Sequence, residues 1–224
     1  MPGLYDDMLA IVAVPLETLV DTQSQVRVEA VIDLWDLPES DRQVLRAHGL
    51  PGGPLLHPSP QADARPALMP NVAGELERRL ISADQRLYRL GSYGTDLVAE
   101  FTIHVGAVAG TGQVLGIRRS PVTTEDFAEP LRPYYPDLYH PAVHYFNASV
   151  AAFVEIAWRW HAAVELLRRH AEPHYSAPVD EHEAHRAEQE RALGAFLAAM
   201  TALDPTLDHN GITSLWVQAI IEDP

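Results

Sequence analysis

The chain contains no cysteine, and although sixteen residues are basic, none of them is lysine. The first absence excludes disulfides and thiolate metal sites and is compatible with a reducing cytoplasm. The second excludes Schiff-base chemistry and a lysine clamp on phosphate. Long apolar runs are also missing: no stretch approaches the about 20 residues that cross a bilayer. The opening MPGLYDDMLAIVAVPLETLV has no basic n-region, and Asp6, Asp7 and Pro15 interrupt it. A secretory signal is therefore not expected.

What the chain has in excess is negative charge. Thirty-one acids stand against sixteen arginines, a formal net charge of −15, and they are spread along the sequence rather than gathered in a tail. Such a surface repels nucleic-acid backbones; it either serves solubility alone or steers the chain toward a basic partner. With 224 residues, 47% of them apolar, the chain can build one substantial core. The reading is a single domain over 1–224: an N-terminal helical segment at 1–35, mainly sheet at 36–146 and a helical part at 147–224.

Within that plan, residues 4–20 suggest a short amphipathic helix stopped by Pro15. In DLPESDRQVLRAHGLPGG, Ser40 can cap a helix that Gly49 and Pro51 end. Six prolines between Pro51 and Pro70 predict an extended passage, with one short strand near Leu55-Leu56. Leu87, Tyr88 and Leu90, then Leu97 to Val105 in alternation, then Val114 to Ile117 predict three strands joined by glycine turns, an antiparallel meander. The prolines of 119–146 predict an irregular loop. Asn147 is a natural cap for a helix with Phe153, Trp158 and Leu167 on its apolar face. Two more helices follow, about Val179–Leu203 and Ile212–Ile221.

The cluster GAVAGTGQVLG (106–116) raises the question of phosphate binding. A dinucleotide fingerprint needs G-x-G-x-x-G opening a helix, whose amides hold the pyrophosphate. Here Gly110, Gly112 and Gly116 are one residue too widely spaced, and VLGIRRSP continues as a strand. The cluster reads as a hairpin bend. His182 and His185 are three apart rather than the four of H-E-x-x-H, so they read as a solvated helix start. No G-x-S-x-G elbow is present. The sequence assigns no catalytic residue, no metal ligand and no cofactor.

The order of the motifs says more than any one of them. Gly49-Leu50-Pro51 after an early helix, Leu90-Gly91, Gly112-Gln113-Val114, Asn147-Ala148-Ser149 with Phe153, and a closing Trp216 resemble the fourth subfamily of the SUKH superfamily of bacterial immunity proteins. The resemblance covers roughly residues 36 to 221. It implies the Smi/Knr-like fold, an α+β domain with a bent, mainly antiparallel sheet packed with helices. It also implies a non-enzymatic role, direct binding and neutralisation of a cognate polymorphic toxin, often a nuclease or deaminase. The chain departs from the family in the proline-rich passage 51–70 and in an aromatic loop longer than a minimal member needs.

The contact surface expected on these grounds is the turn around Tyr93 and Asp96 together with Tyr134, Tyr135, Tyr139, His140 and His144, since aromatic anchors suit a protein interface. The alternative is an enzyme or small-molecule-binding protein of a biosynthetic pathway, with loop 127–146 as part of its pocket. Homodimerisation through the apolar helices is compatible with both.

Overall fold

The computed structural model describes residues 3–28, 30–94, 102–170, 178–209 and 211–222. The first half contains α1 (Leu4–Ala13), β1 (Gln25–Val26), α2 (Glu39–His48), β2 (Leu50–Pro51), β3 (Leu56–Pro58), α3 (Glu75–Leu80), β4 (Leu87–Tyr93) and β5 (Ile103–Val108). Next come β6 (Val114–Ile117), β7 (Val122–Thr123), β8 (Tyr139–His140), β9 (Val143–Asn147) and α4 (Val150–Arg169). The chain continues through α5 (Val179–Leu203), β10 (Asp208–His209), β11 (Ile212–Thr213) and α6 (Leu215–Glu222). One five-stranded sheet, ordered β3-β4-β5-β6-β9 and antiparallel at every pairing, makes this an α+β fold.

The glycine cluster is the bend between β5 and β6. Gly110 and Gly112 take φ of 84° and 73°, a region that side chains disfavour, and Gly112 N–H donates to Val108 O at 2.9 Å. The turn serves the sheet and opens no helix.

Both faces of the sheet are covered. Tyr88, Leu90, Val105, Val114 and Phe146 face the larger core, where α4 contributes Phe153, Ala157 and Trp158 and α6 contributes Trp216. Leu87, Val108, Leu115, Ile117, Val143 and Tyr145 face a second core closed by Leu80 and Ile81, with Leu68 and Val72 against it. The proline-rich passage thus has a structural use: it lays Leu68 onto β4, where Leu68 and Leu87 exchange backbone bonds of 3.0 and 3.1 Å.

Buried Arg159 locks α1 to α4. Its guanidinium donates to Ile11 O, Val12 O and Val14 O, the carbonyls at the C-terminal end of α1, and pairs with Glu155. Those carbonyls are the orphan acceptors of a helix end, which a cation suits.

Several expectations need correction. The segment 119–146 is not all irregular: β7 pairs with β8, and β9 is a full member of the sheet against β6. A strand buried on both faces lacks polar alternation, so β9 carries no period-2 signal. Asn147 does not cap α4; Ser149 does, its Oγ accepting from Ala152 N at 3.1 Å. The second helix starts at Glu39 behind Pro38, whose fixed φ sets the entry, and Ser40 lies inside it. The last helix starts at Leu215, because Ile212–Thr213 pair with Asp208–His209. Helix α3 was not expected. The predicted strand positions Leu97, Ala99 and Phe101 lie outside the described residues.

Candidate functional site

Between β7 and β8 the chain makes an excursion whose tip carries the most exposed aromatic residue of those described, Tyr134 at 76%. Leu131 at 48%, Tyr135 at 45% and Tyr139 at 39% stand with it. Apolar side chains on a loop usually turn inward, so four exposed together mark a surface suited to a partner.

This excursion is held in one shape. Thr123 and Asp126 form a reciprocal cap, with Thr123 N–H donating to Asp126 Oδ2 at 2.7 Å. Thr124 Oγ1 donates to Tyr135 O at 2.6 Å. Arg132 Nε donates to Phe127 O at 3.0 Å, and its Nη1 pairs with Glu125 at 3.0 Å. The rings of Phe127 and Tyr135 stack with centroids 5.1 Å apart. Over 124–138 four acids (Glu125, Asp126, Glu129, Asp137) stand against the single Arg132, so the aromatic tip has an acidic rim.

The root of the excursion is clamped by Glu77. This fully buried carboxylate accepts from Tyr139 Oη at 2.7 Å, from Ala142 N–H at 2.9 Å and from Gly74 N–H at 3.0 Å. Burial pushes its carboxyl up, but these donors outweigh burial and hold it below the usual range. Burial and the bond to Glu77 push the Tyr139 phenol up to about 12.

His144 follows Ala142 by two residues and lies directly opposite Gly116 in the β6–β9 ladder. Burial first, and Arg118 second, push its imidazole down to about 4, so it is neutral at pH 7. Its Nε2 and the Nε of Arg118 are both sealed from solvent without a hydrogen-bond partner.

Of the residues singled out in the sequence, Tyr134, Tyr135, Tyr139 and His140 share this excursion and are exposed, whereas His144 is half-buried in β9. Tyr93 packs edge-on against Phe146 and Trp216, at 5.4 and 6.4 Å between centroids, as part of the core. Asp96 lies outside the described residues. Sequence reasoning missed Leu131, Glu77 and Arg118. Among the described residues no three His, Asp or Glu side chains gather to hold a metal ion, and no helix is long and apolar enough to cross a membrane. Crevices lined by described residues lie elsewhere, one bounded by Pro51, Leu56, Trp160 and Trp216 and another by Leu16, Val44 and Glu155.

The model of the SUKH-4 immunity protein family matches residues 13–222. The chain belongs to this family. No curated protein and no solved structure matches it. The match begins well before residue 36, and β1 shows why: Val26 pairs with Leu50 of the Gly-Leu-Pro motif, so the N-terminal segment is part of the same unit of structure. The motifs that carried the resemblance have structural work in this SUKH-4 chain. Gly49 (φ 58°) ends α2, Leu50 is fully buried, and Asn147, Phe153 and Trp216 meet where β9, α4 and α6 join.

Proposed function

We propose that this SUKH-4 protein acts in the cytoplasm as a non-enzymatic immunity protein, neutralising a cognate toxin by direct binding, and that the excursion between β7 and β8 is its main contact surface. The observation that carries this reading is the preorganised cluster Leu131, Tyr134, Tyr135 and Tyr139. Rigid tyrosines give large contact area with little ordering cost, because the loop is already fixed by its own hydrogen bonds. The acidic rim and the net charge of −15 favour a basic, nucleic-acid-directed toxin such as a nuclease or deaminase, whose association they would accelerate. His140, at the root of the excursion, adds a polar edge.

Size-exclusion chromatography of the chain mixed with the toxin encoded beside it tests the proposal. Co-elution as one complex that survives dilution to nanomolar concentration is the expected result. Separate elution of both proteins at micromolar concentration would overturn it.

A further inference from the structure

An open crevice of about 540 Å³ lies where α2, α4 and the turn after α1 meet. Leu16, Val44 and Leu203 give it apolar walls, and two carboxylates, Glu17 and Glu155, stand in its lining. Two helices also finish at it, since His48 is the last residue of α2 and Leu203 the last of α5. A helix C-terminus carries about half a unit of negative charge, which a cation offsets. Helix α5 has no basic residue in its last turn. In the last turn of α2, Arg46 turns to Asp33, and His48 Nε2 stands 4.0 Å from Glu17 Oε1, too far for a hydrogen bond.

The cation already in the lining, Arg159, is committed elsewhere. Its Nη1 donates to Ile11 O, Val12 O and Val14 O at 2.5, 2.9 and 3.1 Å, which satisfies the end of α1. Its Nε donates to Glu155 Oε1 at 2.9 Å, and its Nη2 bonds the same oxygen. The carboxylate is thereby fixed in direction, while Oε2 receives no hydrogen bond among the described residues. Glu155 keeps contact with solvent, whereas Arg159 is only 4% exposed. The N-terminus of α4 opposes a cation weakly, because its amides are taken: Ala151 N–H donates to Asp41 Oδ1 at 2.9 Å and Ala152 N–H to Ser149 Oγ at 3.1 Å. The crevice is therefore negative at its polar end and apolar along its sides.

We propose that this crevice binds a guanidinium group carried on a short aliphatic stem. The stem lies along Leu16, Val44 and Leu203, as the methylenes of an arginine lie on apolar surface. The planar head donates to Oε2 of Glu155, and its further N–H groups are shared with Glu17 at the mouth. The volume lies within the about 300–1,000 Å³ of small-molecule sites. An arginine side chain of the toxin and a free alkylguanidinium share this chemistry; only the assignment of the source rests on the toxin-binding reading.

The probe for the site itself is n-propylguanidinium chloride, with neutral n-propylurea as its isostere and sodium chloride at equal ionic strength as the salt control. Backbone amide resonances of Leu16, Ala152 and Leu203 are followed by NMR. Saturable shifts with the guanidinium and none with the urea are expected, weakened at least tenfold in Glu155→Gln. Glu17→Gln, at an exposed position, is expected to weaken them at least threefold and keeps the test open if Glu155→Gln fails to fold. No saturable shift in the wild type, or equal shifts with the urea, would overturn the proposal. A second arm measures calorimetric affinity for the neighbouring toxin with and without saturating n-propylguanidinium. A loss of tenfold or more, reproduced in Glu17→Gln without the probe, assigns the guanidinium to the toxin. Unchanged toxin affinity assigns it to a free small molecule. If the toxin fails to bind while the probe still shifts the crevice amides, the toxin reading falls and the site stands.

Discussion

The indole N–H of Trp216 donates to Asn147 Oδ1 at 2.8 Å, fastening the last helix to the last strand of the sheet. Asn147 passes the link on, its Nδ2 donating to Asp204 Oδ2 at 2.7 Å just beyond α5. Three segments far apart in sequence therefore meet at one buried amide.

Replacing that amide leaves an indole N–H and a carboxylate oxygen without partners in the core. Asn147→Leu is expected to destabilise the fold by about 3 kcal/mol, from two buried hydrogen bonds of which one is charge-assisted. Urea denaturation measures it. A loss below about 1 kcal/mol would mean that the amide is not a structural hub.

Gly49 ends α2 with φ of 58° and ψ of −153°, and a Cβ there would lie 2.5 Å from Val26 O. Conformational strain and backbone collision act together, so Gly49→Ala is expected to cost about 2–3 kcal/mol. Thermal unfolding should show a lowered midpoint with the sheet signal lost in the same transition.

Much of this fold can be read from the sequence. The helix over Val179–Leu203 is found at both ends as expected, and the glycine bend is where the mismatch with a phosphate loop puts it. The strand β9 escapes because Val143 and Tyr145 enter one core while Phe146 enters the other, so its pattern is apolar on both sides. Glu77 reads as a solvated charge in GELERR; only Tyr139 and Ala142, 62 and 65 residues away, make its burial favourable. Arg118 gives no local sign at all, since half of its environment is set by strand pairing with a segment that reads as a loop. The tyrosine excursion is visible by composition, and its outward orientation follows from capping bonds that only coordinates reveal.

Glu77 and Tyr139 can be tested together. Glu77→Gln removes the charge that holds the phenol proton, so the Tyr139 ionisation should fall from about 12 toward its ordinary value of 10.0. Ultraviolet titration of the variant against wild type reads this directly, and an unchanged titration would mean that the clamp does not form in solution.

His144 makes stability depend on pH in a defined window. Its imidazole titrates at about 4 when folded against 6.5 when free, so between those values the unfolded chain binds a proton that the folded chain refuses. Stability from this group is thus full above pH 6.5 and declines as pH falls toward 4, by at most about 3.4 kcal/mol at 1.36 kcal/mol per unit. Half-buried His161 is depressed in the same direction, and Glu77 adds a further loss at lower pH, where its depressed carboxyl finally takes a proton. The difference between wild type and His144→Gln isolates the one contribution: the variant should show a flatter unfolding free energy from pH 4 to 6.5. Parallel profiles would contradict the burial of His144.

The account depends most on the tyrosine excursion acting as the toxin-facing surface. Its most direct measurement is titration of the neighbouring toxin's activity with the wild-type chain and with Tyr134→Ala/Tyr135→Ala, whose fold is checked by circular dichroism. The account predicts stoichiometric inhibition at a 1:1 ratio by wild type and an inhibition constant at least 30-fold weaker for the variant, in line with about 2 kcal/mol or more for aromatic anchors. Undiminished toxin activity at excess wild type, or equal inhibition by the variant, would contradict it.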